Sequence, residues 1–168
     1  MIHCFDPIAG SDARVLVLGT VPGQRSLDKD EYYAHSRNAF WSIMQALFAA
    51  GAQLDYPSRI EMLVSTRVAV WDVLRSAERN GSLDSAIAKD SEVPNDIAGF
   101  LTAHPAVETV FFNGAKAEDL FQRHVARTVA HDHRLRFHRL PSTSPANTNM
   151  TAAMKLEAWR AVATTAGG

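Results

Sequence analysis

The sequence predicts an α/β fold, a three-layer αβα sandwich around a central four-stranded parallel sheet. Two observations carry that reading. Four short apolar runs, each bounded by polar or turn residues, recur along the chain, and the intervals between them space their apolar residues as helices do. Strands that alternate with helices are joined by right-handed crossovers, which makes the sheet parallel and puts helices on both faces.

The first strand is Arg14-Val15-Leu16-Val17-Leu18, a continuous β-branched and apolar run ended by Gly19, as expected of a strand buried on both faces. Arg67 to Trp71, Val107 to Phe112 and Leu135 to Leu140 repeat the pattern. After Asn38, a residue suited to an N-cap, Trp41, Met44, Leu47 and Phe48 recur at helical spacing until Gly51 stops the segment. Ser58-Arg59-Ile60-Glu61 fits a capping box opening a second helix. Asn95 is placed to cap a third, with Ile97, Phe100 and Leu101 on one side. Lys116 to Arg127 forms a fourth through Leu120, Phe121 and Val125, and Thr151 to Thr164 is the last. Asn80-Gly81-Ser82 marks a surface turn, and the Ala88 to Glu92 stretch reads as a loop.

A length of 168 residues suits one core, so residues 1–168 are read as a single domain. Hydrophobic residues make up 46% and charged residues 21%, the usage of ordinary soluble domains, which points away from disorder and from a membrane span. Met1 to Asp6 lacks the basic and apolar regions of a secretory signal, so a cytoplasmic location is expected. Cys4 is the sole cysteine, which excludes an internal disulfide and any cluster or zinc site built from several thiolates. The net charge of −1 argues against coating nucleic acid by bulk electrostatics.

Between Ala115 and Leu140, however, Lys116, Arg123, Arg127, Arg134, Arg136 and Arg139 outnumber Glu118, Asp119 and Asp132. That segment is either a solvated face or a basic one, and His124, His131, His133 and His138 add charge to it in mild acid. Strand alternation puts His131 and His133 on one face and His138 on the other, with no carboxylate or thiol spacing to complete a site, so neither metal nor cofactor is expected.

Two loop sequences stand out. Gly19-Thr20-Val21-Pro22-Gly23 leaves the first strand and runs on to Tyr32-Tyr33 and Asn38-Ala39-Phe40-Trp41, and Leu140-Pro141-Ser142-Thr143-Ser144-Pro145-Ala146-Asn147 leaves the last. Both should meet at the carboxyl edge of the sheet, where α/β proteins bind ligands.

From about Val15 to Trp159 the order and spacing of these pieces resemble the uracil-DNA glycosylase superfamily, in which a G-x-x-P-G loop, an aromatic residue, an N-x-F-W helix start and a P-S loop follow one another. The departures select a branch. Val21 stands where the mismatch-specific enzymes carry asparagine and the main uracil enzymes aspartate, Leu140 stands where the latter carry histidine, and the iron–sulfur branches need four cysteines. The chain is similar instead to the hypoxanthine (deoxyinosine) branch, whose first loop lacks the polar residue and whose second motif reads L-P-S-T-S-P-A-N.

The resemblance implies hydrolysis of the bond between sugar and a deaminated base in DNA, leaving an abasic site. A base inside a duplex is out of reach, so it must be flipped out and held. Tyr33 is the candidate stacking face, worth roughly 1–3 kcal/mol per base, while either tyrosine of the pair also suits packing under the loop. Asn38 is the expected catalytic residue, positioning water beneath a sugar that gains cationic character, although a plain helix cap fits its place equally well.

Gly19, Thr20, Val21, Pro22 and Gly23 are expected to line the base pocket, the N–H groups that this loop's backbone does carry meeting the leaving purine, with Phe40, Asp72 and Asn113 also on the base. Asp72 would read the base edge or, with its pKa raised by burial, act as acid; capping is its simpler role, as a turn is for Asn113-Gly114. Ser142, Thr143, Ser144, Pro145, Ala146 and Asn147 are expected on DNA, the serines at phosphate, with Ala146 and Asn147 small for a wedge.

Lys29 is the only lysine in or between the pieces of the first motif and the second motif has none, which argues against a Schiff-base lyase step. The expected partner is DNA bearing a deaminated base, bound by a monomer. A uracil or mismatch glycosylase, and an inert nucleic-acid-binding module of the same fold, are the alternatives.

Overall fold

The computed structural model describes residues 1–167. Four parallel strands form its central sheet: β2 (Val15–Gly19), β3 (Val68–Asp72), β6 (Thr109–Asn113) and β7 (Arg136–Leu140), in the spatial order β3-β2-β6-β7. The helices are α1 (Gln24–Lys29), α2 (Phe40–Phe48), α3 (Tyr56–Ser65), α4 (Ile97–Ala103), α5 (Ala115–His124), α6 (Ala126–Val129) and α7 (Ala152–Gly167). Three further short strands, β1 (Ile2–His3), β4 (Leu74–Ala77) and β5 (Val93–Pro94), make a small antiparallel sheet in the order β1-β4-β5 that the sequence reading lacks.

Alternation along the strands builds two cores. Leu16, Leu18, Ala69, Val110 and Phe112 face α4, α5 and α6 through Phe100, Leu101, Leu120, Phe121 and Val129. Val15, Val17, Val68, Val70 and Phe111 face α2, α3 and α7 through Phe40, Met44, Leu63, Trp159 and Val162. This is the expected three-layer sandwich with a four-stranded parallel sheet.

The two sheet edges differ. Ile8 exchanges two backbone hydrogen bonds of 2.9 Å with Val70 and so covers the outer side of β3. β7 was expected to be a buried apolar strand, but Arg136 to Arg139 are exposed and only Leu140 is buried, because nothing pairs beyond it among the described residues. His131 and His133 precede β7 in turns instead of sharing a strand with His138, and no group of His, Cys, Asp and Glu suited to a metal is found among the described residues.

Helix starts depart from the reading by a few residues at most. Asp55, not Ser58, caps α3 by accepting the Ser58 N–H, and Asp96, not Asn95, caps α4 by accepting the Gly99 N–H. Asn95 turns inward instead, donating to the Asp72 carbonyl at 2.8 Å. The expected fourth helix breaks at Val125 into α5 and α6.

Parallel register aligns the strand ends. Gly19 lies opposite Asp72 and Asn113 opposite Leu140, so four strands finish in one row and release their loops together. Strand order reverses between β2 and β6, the switch point at which a doubly wound sheet opens a crevice.

Trp159 joins core to crevice: its ring is fully buried, edge-on to Phe40, and its Nε1 donates to the Pro141 carbonyl at 2.9 Å. Trp159→Ala is expected to destabilise the fold by about 3–5 kcal/mol, read from urea unfolding midpoints, with Trp159→Phe intermediate.

Candidate functional site

A cleft of about 510 Å³ opens at that row of strand ends. It is lined by Gly19 to Ser26, Tyr33, His35, Asn38, Asp72, Asn113 and Ser142 to Asn147, which brings the two sequence motifs to one place.

Gly19 forms the floor. A Cβ there would lie 2.6 Å from Asp72 Oδ1 and 2.8 Å from Tyr33 Oη, so this position admits glycine because two polar groups close over it. Thr20 and Val21 turn inward, Val21 into the core beside Leu18. The Val21 side chain offers no polar atom to the cleft.

The adjacent tyrosines have separate tasks. Tyr32 is buried and its hydroxyl donates to the Asp6 carbonyl at 2.8 Å, while Trp41 Nε1 donates to the Tyr32 carbonyl at 2.7 Å. Tyr33 adopts a left-handed φ of 53°, a conformation bulky residues avoid, and this swings its ring over Phe40 at a centroid distance of 4.1 Å. Phe40, expected against the base, is itself fully buried beneath Tyr33 and does not line the cleft. Its task is to support the tyrosine.

Asn38 is half-buried on the cleft wall. The N-cap of α2 is Ala39, one residue later than the sequence reading placed it, yet the Asn38 side chain still accepts the Phe40 N–H through Oδ1 at 3.0 Å. That bond fixes which end of the amide is oxygen, and leaves Nδ2 and the second lone pair of Oδ1 free for another group.

Asp72 ends β3 with a side chain that is 4% exposed. Burial pushes its carboxyl up to about 7; the neighbouring Asp84 adds to the rise and Arg79 opposes it. Asp84, which accepts the Thr20 hydroxyl at 2.8 Å, is also raised by burial. Burial likewise lifts the Tyr33 hydroxyl, and the Asp72 carboxyl adds to it. Asp72 Oδ2, Tyr33 Oη and Arg79 Nη1 are buried without a hydrogen-bond partner among the described residues. Unpaired buried polar groups are costly, on the order of 1–3 kcal/mol each, and the two that belong to residues lining the crevice, Asp72 and Tyr33, suit a polar ligand that completes them.

Asn113 lines the cleft, and its side chain has a structural task there. Its amide clasps Thr143 at two points, Nδ2 donating to Oγ1 at 3.0 Å and Oδ1 accepting the backbone N–H at 2.9 Å. Thr143, expected on DNA, is therefore only 1% exposed and serves as the anchor of its loop. Gly114 beside it, at φ 97°, leaves room for Ser142, whose Cβ would stand 2.9 Å from a Cβ at that position.

The rest of the second loop is braced from within. Ser142 Oγ accepts the Ser144 N–H and Ser144 Oγ accepts the Ala146 N–H, both at 3.2 Å, while Asn147 Nδ2 donates to the Ser142 carbonyl at 3.0 Å. Lys155, missed by the sequence reading, is buried and donates to the Ser144 carbonyl at 3.5 Å. The Ala39 N–H donates to the Thr143 carbonyl at 3.0 Å, which ties the second loop to the first motif.

The sequence reading also missed one wall. Ser82 to Ser85 line the cleft, and the only signal for them was the Asn80-Gly81 turn, which marks a reversal without its direction. The basic segment lies elsewhere. None of its six Lys and Arg residues lines the cleft; Arg123 pairs with Glu92, Arg134 with Asp132 and Arg139 with Glu118, which favours the solvated face.

A folded-state pKa near 7 for Asp72, above the ordinary carboxyl value of about 4, means that the folded protein holds a proton the unfolded chain releases between those values. Stability is expected to fall as pH rises from about 4 through 7 on this account. Asp72→Asn removes the titration, so the variant should gain stability over the parent at pH 8 and lose that advantage at pH 5 in paired thermal melts. Parallel melting at both pH values would refute the shift.

Comparison with known proteins adds the lineage. The family model described as the uracil DNA glycosylase superfamily matches residues 7–163. A hypoxanthine DNA glycosylase of Methanosarcina acetivorans is 30% identical over 159 residues, which covers 94% of this chain and 95% of that one. A second protein of that name, from Methanosarcina barkeri, is 32% identical over 114 residues, covering 67% and 71% of the two chains. A solution NMR structure of a candidate uracil DNA glycosylase from M. acetivorans superposes with a TM-score of 0.81 over the whole of both chains at 27% identity. With the motifs converged on one cleft and the match running over nearly its full length, the chain belongs to the uracil DNA glycosylase superfamily.

Proposed function

We propose that this cleft removes hypoxanthine from DNA by hydrolysis, leaving an abasic site. The protein is a DNA glycosylase by family, and DNA is its substrate; no helix among the described residues is long and apolar enough to cross a membrane. Residues 1–168 are read as one such domain, acting as a monomer. The observation that carries the choice of base is the Asp72–Tyr33 pair closing over Gly19, two buried polar groups without partners at the foot of a cleft that has an aromatic face and no polar side chain at Val21. Relatives named for hypoxanthine support the same base.

In this reading the flipped purine stacks on Tyr33, whose other side rests on Phe40. Its polar edge meets Asp72, which near neutral pH exists in both protonation states and so either donates or accepts. Backbone N–H groups of the Gly19 to Gly23 loop stabilise the charge that collects on the departing ring. Asn38 is too weak a base to deprotonate water; it positions water beneath the sugar as the glycosidic bond breaks. The water oxygen bonds to the sugar carbon, one of its protons ends on the base, and the electron pair of the broken bond leaves with the purine. Ser142 and Ser144 meet phosphate in this reading, which their position on the cleft-lining loop supports. Lys29, exposed at the end of α1, does not line the cleft, which supports hydrolysis without a Schiff base.

The test is base release from matched oligonucleotides carrying one hypoxanthine, uracil, mismatched thymine or xanthine, with abasic-site cleavage as readout. Hypoxanthine release is expected, and Asn38→Ala should abolish it while leaving DNA affinity within a few-fold of the parent. Release of uracil alone would move the substrate to that base, and excision by Asn38→Ala close to the parent rate would remove Asn38 from the chemistry.

A further inference from the structure

Four large apolar side chains stand exposed among the described residues, Met1, Leu83, Phe137 and Met154, and of these Leu83 alone lines the cleft, at 59% exposed. A single exposed leucine is ordinary on a protein surface. The anchorage of this one is not. Immediately before it, Ser82 Oγ accepts the Gln24 N–H at 3.1 Å; immediately after it, the Asp84 carboxylate accepts the Thr20 hydroxyl at 2.8 Å. Arg79 reaches across the same turn, with Nε donating to the Gly81 carbonyl at 2.6 Å and Nη2 to the Pro22 carbonyl at 2.8 Å. The chain reverses at Gly81 with φ 75°, and a 3₁₀ turn, Asp84–Ala86, starts directly after Leu83. Both neighbours of Leu83 are thus bonded to the segment that shapes the base pocket, while its own side chain is left uncovered on the rim.

Extruding a nucleotide leaves a gap in the base stack and a partner base without its pair, and proteins that deform DNA fill such gaps with apolar side chains, leucine among them. The second loop is poorly equipped for that task. Ala146 carries only a methyl group, and the Asn147 amide is spent on the Ser142 carbonyl. We propose that Leu83 is the wedge: it enters the duplex at the position vacated by the flipped nucleotide and opposes its return. This rests on the cleft being the DNA glycosylase site and is independent of which base is removed.

The experiment uses the full chain and a duplex holding a reduced abasic analogue opposite 2-aminopurine, beside the single strand that holds the same analogue. Leu83→Ala is expected to weaken duplex binding about tenfold and to suppress the 2-aminopurine fluorescence change, while single-strand binding stays within about twofold. Leu83→Met, which keeps an apolar side chain of similar size, should restore both duplex signals. Equal loss on duplex and single strand would overturn the wedge and make Leu83 part of the pocket, and unchanged duplex binding by Leu83→Ala would overturn the wedge outright. Because the analogue carries no base, failure to release hypoxanthine in the substrate panel would sink the proposed substrate without touching this result.

Discussion

Everything at the site depends on parallel strands ending in step. A parallel sheet has evenly spaced, slanted hydrogen bonds, and its register is fixed by which faces must be buried. Here that register sets Gly19 beside Asp72 and Asn113 beside Leu140. A slip of one residue in β3 would turn its apolar set to the wrong layer and carry Asp72 away from Gly19. The pairing of a carboxylate with a residue that has no side chain is therefore a consequence of core packing, and the pocket inherits its precision from the two apolar layers.

Several costs gather on this frame. Tyr33 holds a left-handed backbone, the Asp72 carboxyl is buried with its pKa raised, and three polar atoms lack hydrogen bonds among the described residues. Strain and unpaired polarity persist only where the surroundings over-determine them, and they cluster where a ligand completes the arrangement. The surroundings here are well specified: Phe40 under Tyr33, Trp41 on the Tyr32 carbonyl, and the Asn113 clasp on Thr143.

The central strands were legible because Val15 to Leu18 and Val110 to Phe112 are apolar without interruption, as a strand buried on both faces requires. β7 misled because Leu135 and Leu140 bracket residues that prove exposed on an open edge. The small second sheet left no mark, since strands of two residues carry no periodicity and Leu74-Arg75-Ser76-Ala77 mixes small, charged and apolar types. The motifs named the right loops. What they concealed was the division of labour within each, because whether Thr143 or Ser142 points inward depends on Asn113, thirty residues away in the chain. The Ser82 to Ser85 wall was invisible for the same reason: its ties to Thr20 and Gln24 are made across the fold.

The bond from the Ala39 N–H to the Thr143 carbonyl joins the residue after Asn38 to the anchor of the second loop. It is a main-chain bond, so among substitutions only proline at position 39 removes its donor. Two segments that are remote in sequence are consequently tied into one jaw, with the second loop and the Asn38 wall joined through their main chains. The Ser82 to Ser85 wall is tied to the first loop and the start of α1 by bonds that involve side chains. Within one architecture, then, the jaw is the part that resists modification and the opposite wall is the part that can be exchanged, which makes that wall the natural place for divergence among proteins sharing this cleft.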